Sequence, residues 1–578
     1  MKTNASSPRI GLSLFAILLL MIFLAAGIFS PKKTSGTSSD IVFAATERST
    51  NDSEVALNDG SLFIDPSAED SVAAGSASAH CPTQTVPGHA GECVITADTT
   101  LAHTLITDDN TKLNCQGHKL LPTTVGMGAQ RSRPEVAIFL NDAKHIQVKN
   151  CTIENFDFGV FAINSKLPSH SGNAPAVPTN QISDNTIRAR FSAISLLTVD
   201  NTEISGNRIT FTAKGGRGIF VARDSDWNRI VGNNIATDFS GGQVDAFRMP
   251  GTASSNPVVK QGTAITITQI EGGEPTILSA VIERKLFQFT TTDSPDPNKN
   301  FSENNRIEDN TITFASGGAL DGIVLAVPQD TTVSNNRIAG ADFSIRMGGQ
   351  CDSTKLVKFP GTCSLRPGRK CLADADCKIG GVDTTDGGTC GGTLDKAVCW
   401  VTRNTVVDGN EIRKPFNLGI ATTGANTRIT ANKIFGPLVS TGANCAVISP
   451  TLRPRGGILL QGKFAVESTT LRQNSVSDIV VAIRLTKVFQ GQSSNFASTI
   501  SQNDFTGYLV AICTSSDYIS ASELSVGGKG NYWGTPCPTG LAPSKVKKEN
   551  GAQNSVVTDS HPYGAPVAAL SILPLPCH

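Results

Sequence analysis

The chain has 578 residues, and its 49 basic residues balance its 49 acidic residues, so the formal net charge at pH 7 is +0. No basic patch or polybasic tail occurs in the sequence, which argues against a nucleic-acid partner. Aromatic residues make up only 6% of the chain, which leaves few stacking platforms for sugars or bases. The length allows several globular domains, but it also allows one long repeat array.

The first 30 residues form a targeting segment. Lys2 and Arg9 precede an apolar run at residues 10–29. A secretory signal has an apolar core of about 7–15 residues and a membrane span needs about 20, so the run fits either a cleaved signal peptide or a membrane anchor. Both alternatives predict an extracytoplasmic body: secreted, periplasmic or at the cell surface. Residues 31–80 are rich in Ser, Thr, Ala and Asp without periodicity, which predicts a flexible linker.

A short motif, apolar-x-x-Asn-x-apolar, recurs nine times in the body of the chain. Its asparagines lie 22 to 29 residues apart where nothing intervenes, and a fixed short period of this kind predicts a solenoid. An inward asparagine at a corner can donate and accept hydrogen bonds, and stacked coils lie about 4.8 Å apart, so neighbouring amides are expected to bond to each other. The asparagines are Asn185, Asn207, Asn233, Asn310, Asn336, Asn410, Asn432, Asn474 and Asn503, with Cys151 in the same slot of a tenth copy.

Strands account for the rest of each period. Ile, Val, Thr and Phe dominate period-2 bursts around each asparagine, and a small residue precedes a further apolar burst, as in Gly218-Ile219 and Gly322-Ile323. Each period therefore holds about three short strands, and no helical stripe separates them. The competing solenoid, the leucine-rich repeat, is dominated by leucine, whereas this motif uses isoleucine and places an apolar residue two positions after the asparagine.

These repeats resemble those of right-handed parallel β-helix proteins of the pectin-lyase-like superfamily. The resemblance runs from about Leu113 to Trp533, where residues 113–118 resemble an entry coil and residues 530–534 a closing coil. It implies an all-β, right-handed parallel β-helix of about ten to thirteen coils over residues 81–535, in a monomeric chain. Insertions are expected at about 249–303 and 351–399, and residues 536–578 are expected to form a tail that packs on or leaves the last coil.

The second insertion is rich in cysteine. Fourteen cysteines in an exported chain favour disulfides over metal or redox chemistry, and six of them lie within residues 351–399. We therefore predict that these six pair among themselves; the absence of a CxxC pair argues against zinc. No other cofactor is predicted, except that Asp374 and Asp376, with Asp383 and Asp386, could ligate Ca²⁺. The alternative for these aspartates is a solvated acidic loop.

Candidate site residues follow from the resemblance, because enzymes of this superfamily act on one external face, beside the strand with the Gly-Ile burst. Asp245, Asp321 and Asp342 stand just before this strand and are the candidate catalytic acids. Arg248 and Arg346 follow on the outward side, where they could bind a uronate carboxylate bidentately. Alternatively, the aspartates serve turn chemistry and the arginines form a solvated surface. Period 2 also directs Phe220, Val324 and Arg484 outward.

The catalytic signatures of known superfamily members are incomplete. The Gly-His-Gly of polygalacturonase-like members and the Asp-Pro-His of alginate-epimerase-like members are missing, and no histidine occurs between His170 and His561. A β-helix protein that handles copper would need His, Met or Cys on its outer face, and the chain has 8 His and 5 Met. Of the tryptophans, Trp227 and Trp400 are either sugar platforms or caps, and Trp533 is expected to close the last coil.

Two functions remain open. The first is an envelope-associated, non-catalytic β-helix that presents an extended face to a glycan or a protein, with an acidic polysaccharide or another envelope component as partner. The second is a polysaccharide lyase or hydrolase that acts on an acidic glycan. Fold alone does not select the second function.

Overall fold

The computed structural model places most of the predicted solenoid. It describes residues 92–101, 105–107, 110–122, 136–141, 144–163, 165, 177–212, 216–222, 224–238, 262–268, 302–314, 320–326, 328–359, 361–363, 366–371, 390–391, 394–422, 424, 426–436, 456–462, 469–487, 499–514, 522–523, 530–534, 543–548 and 557–558. The chain divides into two units, Met1–Val42 and Phe43–His578, and the described residues belong to the second. The predicted signal or anchor, the linker and the first part of the tail therefore lie outside the described residues. Among the helices of the described part, none is long and apolar enough to cross a membrane.

One parallel sheet, called here the first sheet, carries the strands that precede the asparagines. Most of these strands have one buried apolar residue between two residues that are at least partly exposed, as in Arg306-Ile307-Glu308. This is the alternation expected of a strand with one face on a core. The twelve strands are β1 (Glu92–Val94), β4 (Lys112–Asn114), β7 (Gln147–Lys149), β9 (Asn180–Ser183), β11 (Thr202–Ser205), β14 (Arg229–Val231), β17 (Arg306–Glu308), β20 (Thr332–Ser334), β27 (Val406–Asp408), β30 (Arg428–Thr430), β33 (Thr470–Arg472) and β36 (Thr499–Ser501).

The second sheet follows each asparagine and is also parallel. Two of its strands continue without a break into the third sheet, which joins the two sheets in the first coils. Its strands are β2 (Thr99–Leu101), β5 (Lys119–Pro122), the starts of β8 (Thr152–Ile163) and β10 (Thr186–Leu197), β12 (Arg208–Phe211), β15 (Asn234–Thr237), β18 (Thr311–Thr313), β21 (Arg337–Ala339), β28 (Glu411–Arg413), β31 (Lys433–Phe435), β34 (Ser475–Ser477) and β37 (Asp504–Thr506).

The third sheet carries the Gly-Ile bursts, and Ile219, Ile265 and Ile323 pair in register from coil to coil. A glycine precedes the isoleucine where a neighbouring coil lies close: a Cβ on Gly322 would lie 2.4 Å from the Ser344 carbonyl oxygen. The strands are β3 (Leu105–Thr107), β6 (Val136–Asn141), the ends of β8 and β10, β13 (Arg217–Ala222), β16 (Gly262–Thr268), β19 (Leu320–Ala326), the start of β22 (Phe343–Phe359), β29 (Leu418–Thr422), β32 (Gly456–Gly462), β35 (Val481–Lys487), β38 (Val510–Thr514) and β40 (Val546–Lys548).

The asparagines stack at one corner, as the sequence predicts. Each Nδ2 donates to the Oδ1 of the asparagine in the next coil at 2.8–3.0 Å, from Asn185 onward. The ladder continues one coil beyond the nine motifs, because Asn503 donates to Asn531. At its other end the Cys151 backbone N–H donates to Asn185 Oδ1, and Cys151 forms a disulfide with Cys115. We call this the asparagine corner.

Every residue directly before one of the nine motif asparagines, and before Cys151, adopts a left-handed backbone conformation with φ of 54–64°. Glycine, asparagine and aspartate tolerate this conformation best, and most of these positions hold one of them. Ala431 is the exception with an apolar side chain. The positions are Asn150, Asp184, Gly206, Gly232, Asp309, Asn335, Gly409, Ala431, Gln473 and Gln502.

The predicted cysteine-rich insertion leaves the solenoid on a continuous strand. β22 pairs first with the third sheet and then, antiparallel, with β26 (Leu394–Val401), which returns the chain to the next coil. In this stem Cys351 lies opposite Cys399, and in a smaller sheet Cys363 lies opposite Cys390. That smaller sheet contains β23 (Gly361–Cys363), β24 (Arg366–Cys371) and β25 (Cys390–Gly391). Pairing of all six cysteines among themselves stays a prediction.

Trp533 closes the last coil, as expected. Its ring stacks on Phe505 at 4.6 Å between centroids, and Tyr508 donates a hydrogen bond of 2.6 Å to the Trp533 carbonyl oxygen. Beyond it a short 3-10 helix, Pro543–Lys545, leads into β40, which pairs with β38. The tail thus adds one more strand to the third sheet, and β39 (Ser522–Glu523) pairs with β41 (Val557–Thr558).

Candidate functional site

Two of the predicted site residues meet on the third sheet. Arg346 Nη1 lies 3.3 Å from Asp321 Oδ2, and the Phe343 backbone N–H donates to Asp321 Oδ1 at 3.4 Å. The Arg346 guanidinium also lies 5.2 Å from the centroid of the Phe343 ring. These contacts join two adjacent coils, since Ile323 pairs with Ile345.

Asp321 is only 2% exposed. Burial raises the pKa of its carboxyl group, and the charge and hydrogen bond of Arg346 oppose that rise. A raised pKa is a property that general acids need, but this carboxylate already accepts a hydrogen bond from Arg346. The arrangement is best suited to neutralising Arg346 and joining two coils.

The remaining candidates divide into two groups. Asp342 is buried at the turn before β22, where its carbonyl oxygen accepts hydrogen bonds from the backbone N–H groups of Asn417 and Leu418. Asp245, Arg248, Asp374, Asp376, Asp383 and Asp386 lie outside the described residues. A role in catalysis, binding or Ca²⁺ ligation for these residues stays a prediction.

The outer side of the third sheet is largely buried. Among the residues directed outward by period 2, Phe220 and Arg484 are buried, and Val324 and Arg346 are partly exposed. In the N-terminal coils this side carries a phenylalanine cluster, in which Phe158 meets Phe161 edge-to-face at 5.6 Å. In the described part of this sheet, the arginines thus differ, because Arg346 is partly exposed and Arg484 is buried. Period 2 gives the direction of a side chain but not whether another part of the chain covers it.

The first sheet presents the opposite situation, and the sequence reasoning missed it. The outward residues directly before the buried apolar residue form one column that pairs in register through all twelve strands. Every member is at least partly exposed. We call this column the exposed face; it contains Glu92, Lys112, Gln147, Gln181, Glu203, Arg229, Arg306, Thr332, Val406, Arg428, Thr470 and Thr499.

Charges on the exposed face are partly neutralised. Arg229 pairs with Glu203 at 2.9 Å, and Glu92 pairs with Lys149 at 2.8 Å. Arg306 and Arg428 are exposed, and neither forms an ion pair within the described part of the chain. A polar residue on at least one side of each inward apolar residue was the sequence signal for this face. The superfamily resemblance pointed to the other sheet.

Comparison with known proteins gives a partial family match. A family described as periplasmic copper-binding protein (NosD) matches residues 101–260, less than a third of the chain. No curated protein matches the chain.

Several solved structures are similar to the chain. DFA-IIIase from Arthrobacter chlorophenolicus A6 in complex with GF2 is 11% identical, with a TM-score of 0.36, and the match covers 71% of this chain and 82% of that one. A tailspike protein mutant of E. coli bacteriophage HK620 in complex with pentasaccharide is 10% identical, with a TM-score of 0.39, over 80% of this chain and 73% of that one. An exopolygalacturonase from Thermotoga maritima is 8% identical, with a TM-score of 0.28, over 74% and 79%.

Copper, which the matching family's description implies, does not fit the described residues. Copper takes imidazole, thiolate and thioether ligands. Met347 is fully buried in the core, and His118 lies 3.5 Å from Asp98. Cys93, Cys115, Cys151 and Cys513 are all in disulfides. Within the described ranges no three His, Cys, Asp or Glu residues come together in a group that could hold a metal ion.

The identity of the chain therefore rests on its architecture. Parallel strands repeat in register around an isoleucine core, and a continuous asparagine ladder marks one corner. The chain is a right-handed parallel β-helix repeat protein.

Proposed function

We propose that this protein is an exported, envelope-associated β-helix that binds a glycan along its exposed face without cleaving it. The observation that carries the proposal is the contrast between the two sheets. The exposed face is an unbroken column of accessible, mostly polar side chains, whereas Asp321, a candidate acid, is buried against Arg346. Eleven coil spacings make the column roughly 50 Å long, enough for a polymer of many sugar units.

Anionic groups suit this face. Arg306 and Arg428 have exposed guanidinium groups without an ion-pair partner among the described residues, and guanidinium binds carboxylate or sulfate bidentately. Lys112 adds a third exposed cation near the N-terminal end. These charges support an acidic polysaccharide as the partner, in which the arginines contact uronate or sulfate groups.

Export has independent support. The apolar run at residues 10–29 is a targeting segment, and the Cys115–Cys151 disulfide is a bond that persists in oxidising compartments. The family that matches residues 101–260 is described as periplasmic. The proposal therefore places the β-helix outside the cytoplasm, held at the envelope by the N-terminal segment or released after cleavage.

A binding and release assay tests the proposal. The full-length protein is applied to a panel of immobilised acidic and neutral polysaccharides, and bound protein, released reducing ends and unsaturated uronates are measured together. We expect binding of at least one acidic polymer, decreasing with salt, and no released product. Lack of binding to every polymer, or release of product, would contradict the proposal.

Variants locate the binding surface in the same assay. The double change Arg306→Ala and Arg428→Ala is expected to weaken binding at least tenfold. Arg413→Ala is the matched control, because Arg413 is exposed on the second sheet and pairs with Glu411. The double change Arg248→Ala and Arg346→Ala tests the face predicted from the sequence. A loss confined to this last variant would move the binding surface to the third sheet.

The alternative function, a lyase or hydrolase, has one observation in its favour. Burial raises the pKa of Asp321, as in a carboxyl group that acts as a general acid. If the release assay yields product, Asp321→Asn should abolish that release in a protein that still folds. An active Asp321→Asn variant would assign catalysis to other residues.

A further inference from the structure

A second column of left-handed residues lies at the corner where the chain enters the first sheet; we call this corner the rim. At the rim the backbone φ is 48–63° in most coils. Asparagine, aspartate or histidine occupies all of these positions except one, as the tolerance of these residues for this conformation predicts. The column contains Asn110, His145, Asn201, Trp227, Asn304, Asp330, Asn404 and Asn426.

Trp227 is the exception. It holds φ of 60°, and a bulky side chain in this region is an outlier that persists only where the surroundings impose it. Its backbone N–H donates to the Glu303 carbonyl oxygen at 3.0 Å, which fixes it in the stack between Asn201 and Asn304. The residue is partly exposed, and its indole forms no hydrogen bond or ring contact with the described residues. Within the described part of the chain, neither core packing nor hydrogen bonding explains a tryptophan here.

Two carboxylates stand beside it on the following coils. Glu303 is partly exposed and Asp330 is exposed, and neither side chain has a hydrogen bond or ion pair in the described part of the chain. The Glu303 backbone N–H donates to Asp226 Oδ1 at 2.7 Å, and Glu303 pairs with Gln329, the neighbour of Asp330. Burial, and then the charges of Asp330 and Asp224, raise the pKa of Glu303. The carboxylates are thus crowded enough to repel each other.

We infer that Trp227, Glu303 and Asp330 form a subsite for an amino sugar with a free ammonium group. The indole offers a flat apolar platform for the sugar ring and attracts a cation through its π face. The two carboxylates accept hydrogen bonds from the ammonium and hydroxyl groups, and the positive charge relieves their mutual repulsion. A uronate would add a third negative charge to this place.

The inference rests on the proposed function, because it names one sugar class that the edge of the exposed face takes. Trp227 lies two residues before Arg229, a member of that face. A polymer on the exposed face would therefore reach the rim without leaving the protein.

Titration calorimetry with glucosamine, N-acetylglucosamine and galacturonic acid oligomers of equal length tests the subsite. The parent protein is expected to bind the glucosamine oligomer at least tenfold more tightly than the N-acetylglucosamine oligomer. Trp227→Asn should weaken binding of the glucosamine oligomer at least tenfold. The melting temperature of this variant should equal that of the parent or rise, because asparagine suits the left-handed position. Glu303→Gln should weaken binding of glucosamine and leave binding of N-acetylglucosamine unchanged.

Asn110→Gly is the matched control, because it changes a rim residue four coils before Trp227 and keeps the backbone conformation accessible. Its affinity for the glucosamine oligomer should equal that of the parent. Equal affinity of the parent and Trp227→Asn, or equal affinity of the parent for both glucosamine derivatives, would overturn the subsite. If acidic polymers still bind in that case through Arg306 and Arg428, the proposed function stands. If no oligomer or polymer binds the parent, both the subsite and the proposed function are wrong.

Discussion

The two corners that flank the first sheet both turn the chain through a left-handed residue, but they differ in the side chains that follow that residue. At the asparagine corner, a ladder asparagine follows a left-handed residue in coil after coil, and each amide bonds the next one. At the rim, a shorter ladder of Asn180, Asn228 and Asn305 gives way to Thr331 and Thr405. The rim also admits Trp227 in a left-handed position. A corner whose stability depends on every member keeps one residue type, whereas a corner with more tolerance can hold side chains that serve binding.

The largest expected effect is at the asparagine corner. Asn233→Leu removes the acceptor of both the Asn207 side chain and its backbone N–H, and the donor to the Ile204 carbonyl oxygen. Leaving buried polar groups unsatisfied should lower the free energy of unfolding by about 3 kcal/mol. Asn234→Leu is the control, because Asn234 is the next residue but faces solvent, and its effect should stay within about 0.5 kcal/mol. Chemical denaturation measures both; equal losses would refute the ladder's role.

Substitutions at the left-handed positions of the asparagine corner should change the free energy of unfolding by a smaller amount, with opposite signs for loss and gain of glycine. Gly232 has φ of 64° and nothing within 4 Å of an added Cβ, so Gly232→Ala isolates the backbone strain. We expect a loss of about 1 kcal/mol in the free energy of unfolding, and Ala431→Gly should gain up to about 1 kcal/mol. The same sign for both changes in denaturant titrations would argue against backbone strain as the cause.

A tryptophan introduced at another rim position should lower the free energy of unfolding by a similar or slightly smaller amount. Asn404 is exposed with φ of 52°, and Asn404→Trp places an indole where no described carboxylate pair accompanies it. The free energy of unfolding should fall by roughly 1 kcal/mol, because a bulky residue is disfavoured there. A variant as stable as the parent would mean that the rim accepts tryptophan without cost. The left-handed conformation of Trp227 would then be no evidence for a role in binding.

The smallest effect concerns the last coil. Burial, with a lesser contribution from Tyr532, raises the pKa of Tyr508 to about 12. The neutral phenol is thus favoured in the folded state, so its stabilisation is complete below pH 10, the usual pKa, and is lost as the pH rises from 10 to 12. The melting temperature of the parent should fall more steeply in this range than that of Tyr508→Phe. Parallel curves would show that Tyr508 does not carry this dependence.

The asparagine corner was predictable because one residue type recurs at one spacing. The rim was not, because its ladder mixes asparagine with threonine, and threonine is also an ordinary strand residue. Asn531 was missed for a related reason: Asn531-Tyr-Trp533 keeps only the second half of the motif.

The candidate site was harder to predict than the fold. The sequence placed Asp321 just before the Gly-Ile burst of one coil and directed Arg346 outward from the next coil, and the two side chains do meet. Their burial depends on what lies over that side, which alternation does not encode. The left-handed conformation of Trp227 is likewise set by its position in the stack, and no local sequence signal marks it.

The central claim is that a glycan lies on the first sheet and not on the third. Hydroxyl-radical footprinting of the full-length protein, with and without the tightest-binding polysaccharide of the panel, tests it most directly. The account predicts protection at Trp227, Arg306 and Arg428, with no change at Phe343 or Arg346. Protection confined to Phe343 and Arg346, with the first sheet unchanged, would contradict it.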